Sequence, residues 1–299
     1  YGLVGSEMCI RDRSSTDDTN LSGTSLIANG DFSSSSTAAF TTVAGGTAAV
    51  VGGLLKLTDT GGAFCYASAP FTTVVGNQYF VTADIVNSSN TANANYIRCG
   101  NSHNGTEFHN TNYGTGYGTK TFYFTATATT TYLTLISGNG VGEIGHWDNV
   151  FAYRMDNDRS VNNKGLQPYG TITKSAVATG AELVAYGEFS TSNYLFQPHN
   201  TDLQFGTGDY SVMLWYKGTS SSTGSREIFA KLNGSTNYWL IHKEYTNKFV
   251  FDTVTDPNTY SENVWYHLAG VRESGISMLY VNGELVGSAA TNDLSLIHI

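Results

Sequence analysis

Basic residues are scarce in this chain. Lys and Arg number 15 against 24 Asp and Glu in 299 residues, so the formal net charge is 15 − 24 = −9. A nucleic-acid binder shows a basic patch or stripe, and the balance here is acidic. Charge of either sign is thin, at 13% against about 25% in an ordinary domain. Proline is nearly absent, with 4 residues. The Ala/Glu/Lys/Leu enrichment of coiled coils is lacking, and no apolar run approaches the ~18 residues that mark a membrane-spanning helix. Cysteine stands at 3, with no CxxC or Cys/His spacing of a zinc site. What is present is 40% hydrophobic residues, 33 Gly, 19 Tyr, 15 Phe and 4 Trp. That content fills a core and argues against long disorder. The composition is that of a soluble all-β protein.

Both ends read unlike their surroundings. YGLVGSEMCIRDR (1–13) and LSLIHI (294–299) resemble translated sequencing-adapter DNA, and they are set aside from fold reasoning as tags are. The expectation is that the natural gene continues past both ends. Setting Cys9 aside leaves Cys65 and Cys99 on expected strands. They read as buried free thiols, with a disulfide the alternative, since sequence does not give their separation.

Short alternating runs separated by Gly, Asn and Ser clusters are the signature of sandwiches and barrels. In the first half these are Ala48–Leu57, Gln78–Val86, Lys120–Ala126, Thr131–Ile136 and His146–Arg154. In the second they are Tyr186–Phe196, Tyr210–Lys217, Tyr238–Lys243, Lys248–Thr253, Trp265–Arg272 and Ser277–Val281. Asn282–Gly283 predicts a tight hairpin, because both turn positions need φ > 0. The polar stretch Met155–Gly165 marks a boundary. The expected architecture is all-β: two tandem antiparallel β-sandwich (jelly-roll) domains. A linker (14–24) precedes the first, at 25–155; a second linker (156–169) leads to the other, at 170–293.

Family resemblance sharpens this reading. FGTGDYSVMLWYK (Phe205–Lys217), WYHLAGVR (Trp265–Arg272) and LYVNG (Leu279–Gly283), with Tyr194–Leu195 opening, resemble a laminin-G/concanavalin-A-like lectin domain. The closing strands of that family are not found before the adapter-like end, so the second sandwich is expected to be incomplete at its C-terminus. LIANGDF (Leu26–Phe32) and WDNVFAYR (Trp147–Arg154) resemble the first and last strands of xylanase/cellulase-type carbohydrate-binding modules. That resemblance implies that the two segments lie together and hold a structural calcium. It places Asp148 at the metal-binding aspartate, with Asp31 nearby, whereas Ser33 stands where the family has an acid. Calcium wants six to eight oxygens, and two aspartates plus carbonyls are a thin supply. The stretch from Gly165 to Leu195 resembles the approach to the lectin-like domain in tail-fibre-like and structural proteins of marine bacteriophages. The location this implies is a virion or the extracellular space, in a homo-oligomer that would be a trimer if it is a fibre.

Catalytic signatures fail one by one. No G-x-S-x-G elbow exists for a nucleophilic hydrolase, and GTGYGTK (Gly114–Lys120) lacks Walker spacing. A laminarinase-type Glu-x-Asp-x-x-Glu strand has as its nearest string EIGHWD (Glu143–Asp148), where Gly145 replaces the central acid. The chain is therefore expected not to be an enzyme.

Sugar binding needs less: flat rings to stack on pyranose C–H faces and a few polar groups to fix hydroxyls. The loop His103–Tyr117 offers His103, His109, Tyr113 and Tyr117 among Asn and Gly. In NYWLIHKEY (Asn237–Tyr245), alternation turns one of Tyr238 and Trp239 outward, with His242 beside them. Trp147 is weighed between core and ligand contact, while Trp215 and Trp265 are assigned to the core on the size of the area they would bury. The expected partner is a glycan or host-surface polysaccharide, with neither nucleic acid nor membrane. A ligand-free structural spacer and the accessory region of a secreted glycoside hydrolase are the alternatives.

Overall fold

The computed structural model describes residues 21–290, apart from 38, 63, 89–94, 158–163, 180, 182, 199–200, 204, 207, 220–223 and 234–235. The strands in chain order are β1 (Leu21–Ser22), β2 (Thr42–Ala44), β3 (Gly46–Val51), β4 (Leu54–Asp59), β5 (Cys65–Thr72) and β6 (Gln78–Ser88). Then come β7 (Asn95–Gly100), β8 (His109–Asn112), β9 (Gly118–Thr125), β10 (Thr130–Ser137), β11 (Ile144–Arg154) and β12 (Gln167–Tyr169). Next are β13 (Thr171–Ala176), β14 (Val184–Gly187), β15 (Tyr194–Phe196), β16 (Tyr210–Tyr216), β17 (Arg226–Asn233) and β18 (Thr236–Lys243). The last are β19 (Phe249–Phe251), β20 (Val254–Thr255), β21 (Tyr266–Glu273), β22 (Ile276–Val281) and β23 (Glu284–Ala290). Every pairing is antiparallel, and no α-helix occurs among the described residues.

The chain divides into two compact units, one ending at His199 and the other beginning at Asn200. The first is a sandwich of two five-stranded sheets, ordered β2-β5-β10-β7-β8 and β3-β4-β11-β6-β9. Alternation places Cys65, Ala67, Ala69 and Phe71 of β5 on the same inner side as Leu133, Leu135, Ile97 and Cys99. These pack with Leu55, Leu57, Val81, Ala83, Ile85 and Trp147 of the other sheet in one continuous core. Cys65 and Cys99 are free thiols in that core. Strand β10 lies between their strands, and they face Ser137 and Leu133 of it, so two interstrand spacings of roughly 9.5 Å and a four-residue offset of about 13 Å separate them, beyond disulfide reach.

The second unit pairs β16-β21-β22-β23 in one sheet and β17-β18-β19-β20 in another. Its core is Ile241, Phe249, Phe251, Val254, Tyr266, Leu268, Leu279 and Val281. The Asn282–Gly283 hairpin forms as expected, with φ of 52° and 86°, and joins β22 to β23.

Four expectations change. The run Ala48–Leu57 is a hairpin rather than one strand, since Gly52 and Gly53 adopt φ of 61° and 78° between β3 and β4. Tyr186–Phe196 likewise breaks into β14 and β15. The boundary does not fall at 156–169. Strands β12 to β15 belong to the first unit, where β13 pairs with β1, and β1 lies inside the expected first linker. Trp215 is not core: it is 64% exposed on the outer side of β16, opposite the inward Leu214 and Tyr216, while Trp265 is half-buried. A ring's size argues for burial only when strand parity agrees, and at 215 it does not. The adapter-like segments 1–13 and 294–299 lie outside the described residues.

Candidate functional site

The inner side of β5, β10 and β7 is apolar, so the other parity of the same strands forms an outer face. Register sets its rows. Tyr66 stands opposite Ile136, which stands opposite Tyr96, which stands opposite Asn112. The next row is Ser68, Thr134, Arg98 and Asn110, and the third holds Pro70, Tyr132 and Gly100. Tyr66 and Tyr96 are two strand spacings apart, about 9.5 Å, and Tyr132 lies four residues, about 13 Å, further along the sheet. Three half-buried tyrosines thus share one face.

Polar groups between the rings are fixed in place. Ser68 and Thr134 hydroxyls share a 2.6 Å hydrogen bond and are fully buried. The Asn104 backbone N–H donates to Thr134 Oγ1 at 3.1 Å. Arg98 donates from Nε to Asn110 Oδ1 (3.0 Å) and from Nη1 to Asn104 Oδ1 (2.8 Å). Its guanidinium lies 5.3 Å from the Tyr96 ring centre. The segment 101–108 folds onto this face, where the His103 ring meets Tyr132 at 4.4 Å between centroids. Glycine at 100 permits that approach. A Cβ there would stand 1.9 Å from Glu107 Oε2 and 2.6 Å from the Gly105 backbone. Asn104 turns the segment with φ of 59°.

The sequence-predicted residues distribute unevenly around this face. His103 belongs to it. His109 starts edge strand β8 and faces the other way, stacked on Phe122 at 3.9 Å and hydrogen-bonded through Nε2 to Tyr113 Oη at 3.1 Å. Burial lowers the His109 pKa and raises that of Tyr113. Tyr113 packs partly against the core with Lys120 Nζ 5.3 Å from its ring centre. Tyr117 is half-exposed and donates to the Ser88 carbonyl at 3.1 Å. Trp147 is fully buried on the inner side of β11, so no ligand reaches it and its role is packing. In the second unit, β18 carries Tyr238 and Trp239, whose side chains lie outside the described residues; His242 is half-buried, with its pKa lowered by burial. Sequence reasoning missed Tyr66, Tyr96, Tyr132 and Arg98. The readable signal was parity: each alternates with a small or aliphatic core residue.

Asp31 and Asp148 do come together, as the module resemblance implied. The Val150 N–H donates to the Gly30 carbonyl at 2.8 Å, and Asp84 pairs across strands with Asp148. Burial, then Asp84 and Asp31, raise the Asp148 pKa. Each acid also accepts a local hydrogen bond. Asp31 accepts from Ser33, Asp84 from Asn149 Nδ2, and Asp148 from the Asn149 N–H. Among the described residues no group of three or more His, Cys, Asp or Glu is arranged to hold a metal. Asp84 Oδ1 is buried beside the other two acids without a hydrogen-bond partner.

The fold defines two successive antiparallel sandwiches, the first with a tyrosine-lined face. Residues 189–297 match the family model of the concanavalin A-like lectin/glucanases superfamily. A solved structure described as "CBM4 structure and function" is similar at 14% identity with a TM-score of 0.31, covering 43% of this chain and 99% of that one. No curated protein matches the chain.

Proposed function

We propose that the first sandwich binds a glycan on the outer face of β5, β10, β7 and β8, without cleaving it. The carrying observation is the convergence of Tyr66, Tyr96 and Tyr132 on one face, with Arg98, Asn104 and Asn110 oriented between them. Tyrosine rings present flat apolar area to sugar C–H faces, and the interleaved polar groups fix hydroxyl orientation. The superfamily match over 189–297 supports a carbohydrate setting for the neighbouring unit. The binding reading is preferred over catalysis because, among the described residues, the face carries no pair of carboxylates at the ~5–9.5 Å spacing of glycoside hydrolysis. The wider setting belongs to the same proposal: a phage tail-fibre or structural protein, on a virion or outside the cell, where repeated copies raise avidity. Its support is the resemblance of Gly165–Leu195 to such proteins.

A glycan array with the whole chain tests this reading. At least one glycan class should be retained, and Tyr96→Ala and Tyr132→Ala should each weaken it about tenfold, ~1.4 kcal/mol. Tyr117→Ala, away from the face, should leave it unchanged. Retention of no glycan, or equal loss in all three variants, would remove the assignment.

A further inference from the structure

We infer that the ligand of this face is an acidic polysaccharide carrying carboxylates, of the uronic-acid class; this deepens the glycan-binding reading and rests on it. The central cation of the face is Arg98, half-buried in the middle row between Tyr96 and Tyr132. Both of its hydrogen-bond partners, Asn110 and Asn104, are neutral amides, which orient a guanidinium without neutralising it. No acidic side chain among the described residues forms an ion pair with it. Of the five N–H donors of a guanidinium, 5 − 2 = 3 remain after those two bonds. They are one on Nη1 and two on Nη2, and one from each nitrogen can meet a carboxylate in two parallel hydrogen bonds, whereas a sugar hydroxyl uses one donor at a time.

The neighbouring acid is held by a backbone donor rather than by Arg98. Glu107 Oε2 accepts the Asn101 N–H at 3.2 Å and lies against Gly100 and Gly105. The net charge of −9 opposes a polyanion at long range, but the Debye length at physiological salt is about 8 Å. A direct contact therefore outweighs it. The guanidinium carbon also lies 5.3 Å from the Tyr96 ring centre, which places the cation beside a ring on which a sugar could stack.

The test compares polygalacturonate and alginate oligosaccharides with their methyl esters, which keep the backbone and remove the charge. Titration calorimetry uses the whole chain, with dextran sulfate and a neutral β-glucan as further probes. The acid form of one uronan should bind about tenfold or more tighter than its ester, weakening as salt rises. Arg98→Gln should cut binding to the acid about tenfold and erase the preference over the ester. Arg98→Lys should recover only part, because it restores the charge without the fork. Lys56→Gln, on the other sheet, removes one positive charge and should change neither value. Near-ultraviolet circular dichroism of each variant confirms that the sandwich is intact. Equal binding of acid and ester, or dextran sulfate binding as tightly as the uronans, overturns the inference. If only the neutral β-glucan binds, the inference falls while the glycan reading stands; if nothing binds, both fall.

Discussion

The two sandwiches use their outer faces differently. In the first, the outward tyrosines stand over a hydrogen-bonded layer of Ser68, Thr134, Arg98 and Asn104, partly covered by the segment from Asn101 to Phe108. In the second, Met213 (66% exposed) and Trp215 (64% exposed) stand on β16, with the His267 and Trp215 rings in a T-shaped contact at 5.3 Å. The inner sides differ as well. Inward residues of β5 and β10 are essentially sealed, whereas Val212 and Leu214 on the inner side of β16 are half-buried. An aromatic on an outer face is thus not by itself a site. What marks the first face is the fixed polar layer between its rings.

The two units should differ most at their tryptophans. Trp147→Ala empties the sealed core of the first unit and should cost about 3–5 kcal/mol. Trp215→Ala, on the bare face, should stay within about 0.5 kcal/mol. Denaturant unfolding of the two variants decides, and similar losses would erase the distinction.

Lys243 sharpens the contrast next. It is fully buried in the second unit with Nζ unpartnered, 5.9 Å from the Phe249 ring centre. Burial lowers its pKa, with Arg226 adding to that and Glu262 opposing it. A lysine whose folded pKa is depressed penalises the folded state below that value. The penalty is relieved as pH rises from the depressed value toward the ordinary 10.5. Lys243→Met should therefore stabilise by about 1–3 kcal/mol at pH 7, and the gain should shrink as pH climbs to 10. Thermal unfolding across that range checks both the sign and the trend.

Gly100→Ala should lift the segment 101–108 off the first face through the 1.9 Å clash with Glu107. Glycan affinity should then fall by about tenfold or more, with a smaller loss of stability, since the core below is untouched. The smallest effect concerns the thiols. Burial pushes Cys65 up to about 11 and raises Cys99 as well. Mass mapping after iodoacetamide at pH 8 should find both unmodified in the native protein and alkylated once it is unfolded.

Much of this architecture was legible in the chain. Strands β6, β9, β10, β11, β16, β21 and β22 fall where alternation placed them, to within a few residues. The Asn282–Gly283 turn followed from its own chemistry. The binding face was not legible. Tyr66, Tyr96 and Tyr132 sit on β5, β7 and β10, which are far apart in sequence and meet only through the order β5-β10-β7. Along the chain the candidate rings cluster in His103–Tyr117; of these, the structure brings His103 to the face and turns His109 toward Phe122. The first boundary was misplaced for a related reason. A polar stretch looks like a linker, yet the strands beyond it return to pair with β1 and with one another.

The tyrosine face is built from strands whose opposite side is the sealed core, and its central arginine is already held by two amides. A ligand arriving there meets groups that need little rearrangement. Association should then run at the rate set by encounter and orientation, roughly 10⁵–10⁷ M⁻¹s⁻¹ for a docking step without conformational change. Differences in affinity among glycans would appear almost wholly as differences in how long each remains bound.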